Sequence, residues 1–247
     1  MMDSQYEELL SMQNAHWWFL GKREIICDYA EHRTKLRIDG SDDICDIGCG
    51  MGLMLNRLSR YGNVFGMDMA PTAVNHCNTA FPEATVKMGR LPDQIPFPDE
   101  SFDVIIASDV LEHVRNDVEA ARCIANLLRP DGNAIVTVPA HMSLWSHNDE
   151  LNCHFRRYER DGLVSVLTAG GLVIRHISFY NSRLLPAVRA VRALKTRFGD
   201  KSSDVGTGPS NGMANDALRR IFEGERRRLR HGSYRNGVSL ICCCEKA

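Results

Sequence analysis

DIGCGMG, residues 46–52, decides the fold. An apolar run, ICDIG (44–48), enters three alternating glycines, and a helical pattern, MGLMLNRLSRYG, leaves them. Gly48, Gly50 and Gly52 let the backbone reverse within a few residues, and they leave bare main chain at a helix N-terminus for a ligand to approach. Sixteen residues after Gly52, Asp68 ends a second apolar run, VFGMDM (64–69). A carboxylate there can accept both hydroxyls of a ribose. The spacing is GxGxG: a dinucleotide fingerprint needs its third glycine at position 53, where this chain has Leu53. Without that glycine the usual pyrophosphate cradle is incomplete. A nucleoside without phosphates is favoured over a nicotinamide dinucleotide.

Outward from this turn, short apolar runs alternate with helical stretches, the pattern of a doubly wound α/β sheet. ATVKMG (84–89), SFDVIIASDV (101–110), NAIVTVPA (133–140), GLVIRHISFY (171–180) and GVSLICCCEKA (237–247) read as five further strands, seven in all. Helices are expected at 71–81, 116–128 (stopped by RPDG) and 159–169, with amphipathic segments at 184–198 and 213–230. The expectation is a Rossmann-like seven-stranded sheet, mostly parallel with the last strand antiparallel, in one domain over 1–247. Cover helices lie at 1–35 and 183–231, and a polar glycine-rich loop at 199–212 reads as mobile.

Composition narrows the function classes. A net charge of −1 over 247 residues gives no reason to expect nucleic acid as a partner. The acidic start, MMDSQYEELL, has none of the regions of a signal peptide, and no apolar run approaches the roughly 18 residues that span a bilayer. The nine cysteines are scattered or, at 242–244, consecutive. They read as reduced thiols, mostly buried, in a cytoplasmic protein. Between Arg183 and His231 twelve Lys or Arg face five Asp or Glu, a local excess of +7. That segment reads either as a solvated helical face or as a cover that meets an anionic substrate or surface.

Four blocks in order, DIGCGMG, VFGMDMA, LPDQIPFPDESFDVIIASDVLEHV and LLRPDGNAIVTVP, resemble the class I S-adenosylmethionine-dependent methyltransferases, of the methyltransferase type 11-like subgroup. The resemblance implies S-adenosyl-L-methionine as cofactor and S-adenosyl-L-homocysteine as product. It also implies that Asp46 and the backbone of Gly48, Cys49 and Gly50 face the methionine part. Asp68 would hold the ribose, with Met69 on the adenine, unless Met69 is core filler. Gly89, Arg90 and Leu91 would border the adenine, without the acid that many members carry there. Ser108, Asp109 and Val110 would lie beneath the sulfonium with His113 one turn on, unless Glu112–His113 simply begins a helix. Trp18 and Arg23 of HWWFLGKREII (16–26), and more weakly Tyr6, would cover the cofactor, with Arg23 on its carboxylate; the alternative is a helix whose tryptophans only pack.

The loop after the fifth strand, LWSHNDELNCHFRRY (144–158), then falls on the acceptor's side. His147, Cys153 and His154 lack the paired short spacings of a zinc site, so no metal is expected. His147 or His154, with His113, would serve as proton acceptor. Trp145, Arg156, Arg157 and Tyr158 would wall the acceptor pocket, or else brace the loop. In the basic cover, Arg189, Arg192 and Arg197 fall on one side of the first helix. Arg219, Arg226 and Arg230 would line the second. The expected reaction is methylation of oxygen or nitrogen on a small, anionic metabolite. The alternatives are a lipid-linked or quinone-type acceptor met at a membrane surface, and a non-catalytic S-adenosylmethionine-binding module.

Overall fold

Seven runs bounded by turns form one sheet whose central strands are largely buried, while the edge runs Thr85–Met88 and Leu172–Tyr180 keep exposed residues. The computed structural model describes residues 10–37, 40–198 and 211–247. Tyr6 and positions 199–210 of the expected mobile loop lie outside them. The elements in chain order are α1 (Trp17–Arg33), β1 (Asp42–Ile47), α2 (Leu55–Leu58), β2 (Gly62–Asp68), α3 (Pro71–Ala80) and β3 (Thr85–Met88). Next come β4 (Phe102–Ser108), α4 (Asp117–Leu127), β5 (Leu128–Pro139), α5 (His147–Leu151), α6 (Arg160–Ala169) and β6 (Leu172–Tyr180). The last are α7 (Leu185–Phe198), α8 (Gly212–Glu223), α9 (Arg226–Leu229) and β7 (Ser239–Lys246). The strand order is β3-β2-β1-β4-β5-β7-β6, with β7 antiparallel to both neighbours and the other pairings parallel. The order reverses at β1, and Ile47 pairs with Met67 on one side and Ala107 on the other. The carboxyl ends of β1, β2 and β4 therefore sit together at the switch point, where open α/β sheets bind ligands.

Two local expectations are corrected. The helix after the glycine turn starts at Leu55, not Met51. Gly50 and Gly52 both have left-handed backbone (φ 52° and 81°), so helical hydrogen bonding begins only beyond them. RPDG does not simply follow α4 as a stop. It loops out within β5, because Phe102 pairs with Leu128 and Val104 already pairs with Asn133. Arg129 in that bulge bridges Asp43 and Asp103 at 2.6 Å each, which ties β1 to β4.

The cysteine run in β7 has a packing explanation. Cys242 and Cys244 face the core under α4 and α6, and Cys243 faces the core under α1. A strand covered on both faces needs small apolar fillers on each. All nine cysteines are free, seven of them buried.

The two helical covers form one layer. Trp17 packs edge-on to Phe222 at 5.7 Å, and Tyr180 stacks beneath the same ring at 6.1 Å. A Cβ on Gly21 would stand 2.6 Å from Phe222, so glycine is what allows α1 and α8 to approach. Asn215 accepts the Trp17 amide at 2.7 Å, and Arg230 clamps Asp28. Among the described residues no helix is long and apolar enough to cross a membrane. Phe222→Ala should cost about 3–5 kcal/mol, because the cavity opens between two helices and the sheet. Urea unfolding reads this; a loss below about 1 kcal/mol would show that the layer does not depend on that ring.

Candidate active site

Three carboxylates end three adjacent parallel strands. Asp46 lies in β1, Asp68 closes β2, and Asp109 follows β4. Asp68 is held by main chain: its oxygens accept the amides of Gly50 and Ala70, each at 2.9 Å. The glycine turn and the β2 acid are thus one hydrogen-bonded unit. Gly48 is bare for a second reason, since a Cβ there would meet Val110 at 2.9 Å. Burial pushes the Asp46 carboxyl up to about 7, with Asp68 adding repulsion and Lys22 opposing it. Met69, beside Asp68, is 64% exposed, which removes the core-filler reading. Beyond β3, Gly89 donates to the Asp68 carbonyl, Arg90 exchanges backbone hydrogen bonds with Gln94 and pairs with Asp93, and Leu91 is buried.

The helix residue that reaches this acid cluster is Lys22. Its ammonium donates to Asp109 Oδ2 at 2.5 Å and lies 4.9 Å over the Trp18 ring. Arg23 turns to Glu24 at 3.4 Å instead. Lys22 was legible: it falls four residues after Trp18 on the face that continues to Ile25, Ile26 and Tyr29, all buried. Asp109 has left-handed backbone (φ 56°) and also accepts the Thr137 hydroxyl at 2.9 Å; that hydroxyl contacts Ser108. Burial acts to raise the Asp109 carboxyl, but Lys22 outweighs it, with help from Thr137 and His154, and holds it below the usual range.

The loop 144–158 divides into a brace and a reactive edge. Arg156 pairs with Asp117 and donates to the Arg115 carbonyl, and Tyr158 is buried with its hydroxyl on Asp117 at 2.8 Å. Arg157 is buried and grips Asp149 through Nε at 2.8 Å and a terminal nitrogen at 3.0 Å. These three side chains therefore brace the loop, the second of the two readings the sequence offered for them. Trp145 is half-buried at the start of this loop, and the preceding Leu144 carbonyl accepts from Arg192 of α7. His147 pairs with the exposed Glu150 at 3.0 Å, on the outer side of α5. His154 turns inward. Its Nδ1 bonds Asp149 at 2.9 Å, and its ring meets His113 edge-on at 4.6 Å. Asp149 is held down to about 2 by His154 and Arg157 together with the Ser146 amide, in spite of its burial. It is therefore ionised and can only accept, which places the proton on His154 Nδ1. Burial, then His154, lowers the affinity of His113 for a proton.

Much of the basic cover is already neutralised. Arg219 pairs with Glu223, Arg226 with Glu24 and Glu223, and Arg230 with Asp28. The expectation that these arginines line a face for an anion is corrected for α8 and α9. At the opposite ends of the strands, a depression of about 320 Å³ lined by Lys35, Arg37, Asp42 and Asp103 is closed in charge by the Arg37–Asp42 and Arg129–Asp103 pairs.

Residues 45–136 match the family model described as a methyltransferase domain. That stretch is similar in sequence to S-adenosylmethionine-dependent methyltransferases, and the chain shares their fold. A Mycolicibacterium smegmatis protein named "Probable S-adenosylmethionine-dependent methyltransferase" is 26% identical over 64% of this chain and 60% of its own length. A Neisseria meningitidis ubiquinone biosynthesis O-methyltransferase is 34% identical over 38% of this chain and 45% of its own. The chain thus spans about half to three fifths of the curated relatives it matches. In solved structures the methyltransferase-type fold recurs in a TehB-like S-adenosylmethionine-dependent methyltransferase from Corynebacterium glutamicum, with a TM-score of 0.54 at 19% identity over 90% of this chain and 88% of that one.

The family's cofactor is S-adenosylmethionine, and the residues present fit it. Bare backbone at Gly48 and Gly50 borders a buried acid, Asp46, whose raised proton affinity is relieved by a nearby cation such as an amino-acid ammonium. Gln13 Oε1 is buried without a partner, and its Nε2 lies 3.7 Å from where a Gly50 Cβ would stand.

Lys22→Met should leave Asp109 buried and unpaired, at a cost of about 3–5 kcal/mol. In the wild type the depressed Asp109 stabilises above its unfolded pKa of about 3.9 and loses that contribution as pH falls. In the variant Asp109 takes up a proton readily, so the deficit should be largest near about pH 8 and shrink toward about pH 5. Urea unfolding across that range checks this; a deficit independent of pH would break the assignment.

Proposed function

We propose that the protein transfers a methyl group from S-adenosylmethionine to an oxygen or nitrogen of a small acceptor held against the loop 144–158. The observation that supports this most is the single unit formed by the glycine turn and Asp68 at the switch point, where Asp68 keeps lone pairs for a ribose while bonded to Gly50 and Ala70. Asp46 and the backbone of Gly48, Cys49 and Gly50 take the methionine part. Met69, with Gly89, Arg90 and Leu91, borders the adenine. Ser108, Asp109 and Val110 support the sulfonium, and Trp18 with Lys22 covers it, leaving Arg23 a lesser part. The bound cofactor supplies a methyl carbon open to in-line attack.

The chain's own task is then orientation, exclusion of water and removal of one proton. His154 is suited to that last step: Asp149 fixes its tautomer, and Nε2 is left with a lone pair. His113 stands beside it, whereas His147 is occupied with Glu150 on the outside. Calorimetry should show S-adenosylhomocysteine binding and no response to NAD. Asp68→Ala should weaken that binding by about 1–3 kcal/mol, and His154→Ala should lower turnover more than cofactor affinity. Binding to NAD alone, or an unaltered affinity in Asp68→Ala, would overturn the reading. Binding without product from any acceptor would favour a non-catalytic module.

A lipid-linked or quinone-type acceptor is supported by one surface feature. The apolar stripe of α7 is buried at Leu184 and Leu185 but exposed at Val191 (49%) and Leu194 (55%), and Met213 at the start of α8 is 90% exposed. Exposed Arg189 and Arg197 flank that stripe. Co-sedimentation with anionic vesicles, reduced in Leu194→Ser and by salt, is the expected result on this reading. Full recovery in the supernatant would eliminate it.

A further inference from the structure

Glu112 is fully buried, and neither of its carboxylate oxygens has a hydrogen-bond partner beyond its own nearby amide. Burying an unpartnered carboxylate is costly, so the surroundings should contain a reason for it. One oxygen of Glu112, one ring nitrogen of His113 and one of His154 all lie within 4.8 Å of one another. The first two donors follow β4 and the third comes from the acceptor loop, which is tied here by the Phe155 amide donating to the Glu112 carbonyl at 2.8 Å.

Both imidazoles are oriented from behind. His154 spends Nδ1–H on Asp149, and the backbone carbonyl of Asn152 faces a ring nitrogen of His113. Outer partners of this kind, a carboxylate on one histidine and a carbonyl on the other, characterise metal-ligating imidazoles. The nearby cations are already matched, Lys22 by Asp109 and Arg157 by Asp149. Glu112 is thus the acid of this cluster left without a cation partner.

We infer that Glu112, His113 and His154 form a binding site for a divalent transition-metal ion at the acceptor edge of the site. Two imidazoles and one carboxylate suit zinc, iron, manganese, cobalt or nickel better than calcium or magnesium. Donors around one such ion stand roughly 3–3.5 Å apart for bonds of about 2.1 Å. Closing from the present spacing takes a side-chain rotation of His113, whose ring already rests edge-on against His154. Three protein ligands leave coordination positions open.

One consequence rests on the methyl-transfer reading above. The open positions would chelate an acceptor with two neighbouring oxygen donors. Coordination lowers the pKa of its hydroxyl, whose proton then passes to solvent, because the ion and not a proton takes the lone pair of His154 Nε2. An oxygen lone pair then forms the new C–O bond while the C–S pair stays on sulfur.

The test uses the full chain without an affinity tag, stripped with chelator and titrated with Zn²⁺ by calorimetry, with metal content measured after dialysis. One ion per chain is expected, bound at least about 10-fold more weakly by Glu112→Gln and by His154→Ala, and about 10- to 100-fold more weakly by Asp149→Asn. No stoichiometric binding by the wild type, or unchanged affinity in Glu112→Gln and His154→Ala, overturns the inference. If circular dichroism shows that the buried variants do not fold, His113→Ala is titrated in their place with the same expected loss, and unchanged affinity there overturns the inference equally. S-adenosylhomocysteine binding is measured in the same samples. A chain that binds it but no Zn²⁺ loses only the metal site; one that binds Zn²⁺ but no S-adenosylhomocysteine loses only the methyl-transfer reading.

Discussion

Crowding of negative charge at one end of the sheet is the constraint on which the rest depends. The parallel register of β2, β1 and β4 delivers Asp68, Asp46 and Asp109 to the same edge, where Asp46 is buried and the other two are half-buried. Each must be answered locally. Asp68 is answered by two backbone amides that exist only because the chain turns tightly at the glycines, and Asp109 by Lys22 and Thr137. Asp46 is left partly unanswered, and its proton affinity rises accordingly.

That electrostatic need reaches the periphery. Lys22 stands at Asp109 only if α1 lies across the strand ends, and α1 is held there by Phe222, Asn215 and Arg230 from the segment before β7. Helices far apart in sequence thus make one cover. The Arg192 contact with the Leu144 carbonyl carries the same layer onto the acceptor loop. Cover, cofactor edge and loop are mechanically connected; among the described residues Glu112 stands out because both of its carboxylate oxygens lack a partner.

Legibility tracks the range of the interaction. The glycine turn, Asp68 and the strand alternation depend on neighbours within a few residues, and their reading matches the structure. The RPDG bulge and the late start of α2 escape a local reading because a register shift and two left-handed glycines override the helix signals there. In the loop, composition does not distinguish brace from edge. Arg157 and His154 both serve Asp149, yet one is enclosed and the other turns toward His113. Within 144–158 the donors lack the paired short spacings of a zinc site, so the sequence argues against a metal there. The inferred site draws on Glu112 and His113, which lie more than thirty residues upstream.

By itself the sequence determined the class of fold and the glycine turn that meets Asp68 at one end of the sheet. Those follow from hydrophobic period and from backbone that only glycine permits, both of which are written locally. Tertiary structure decided which charges find partners: Lys22 rather than Arg23 at the acids, arginines of the cover spent on Asp28, Glu24 and Glu223, and Glu112 drawn beside two histidines. Pairing of buried charge depends on distances across the sheet and between layers, and no spacing along the chain encodes them.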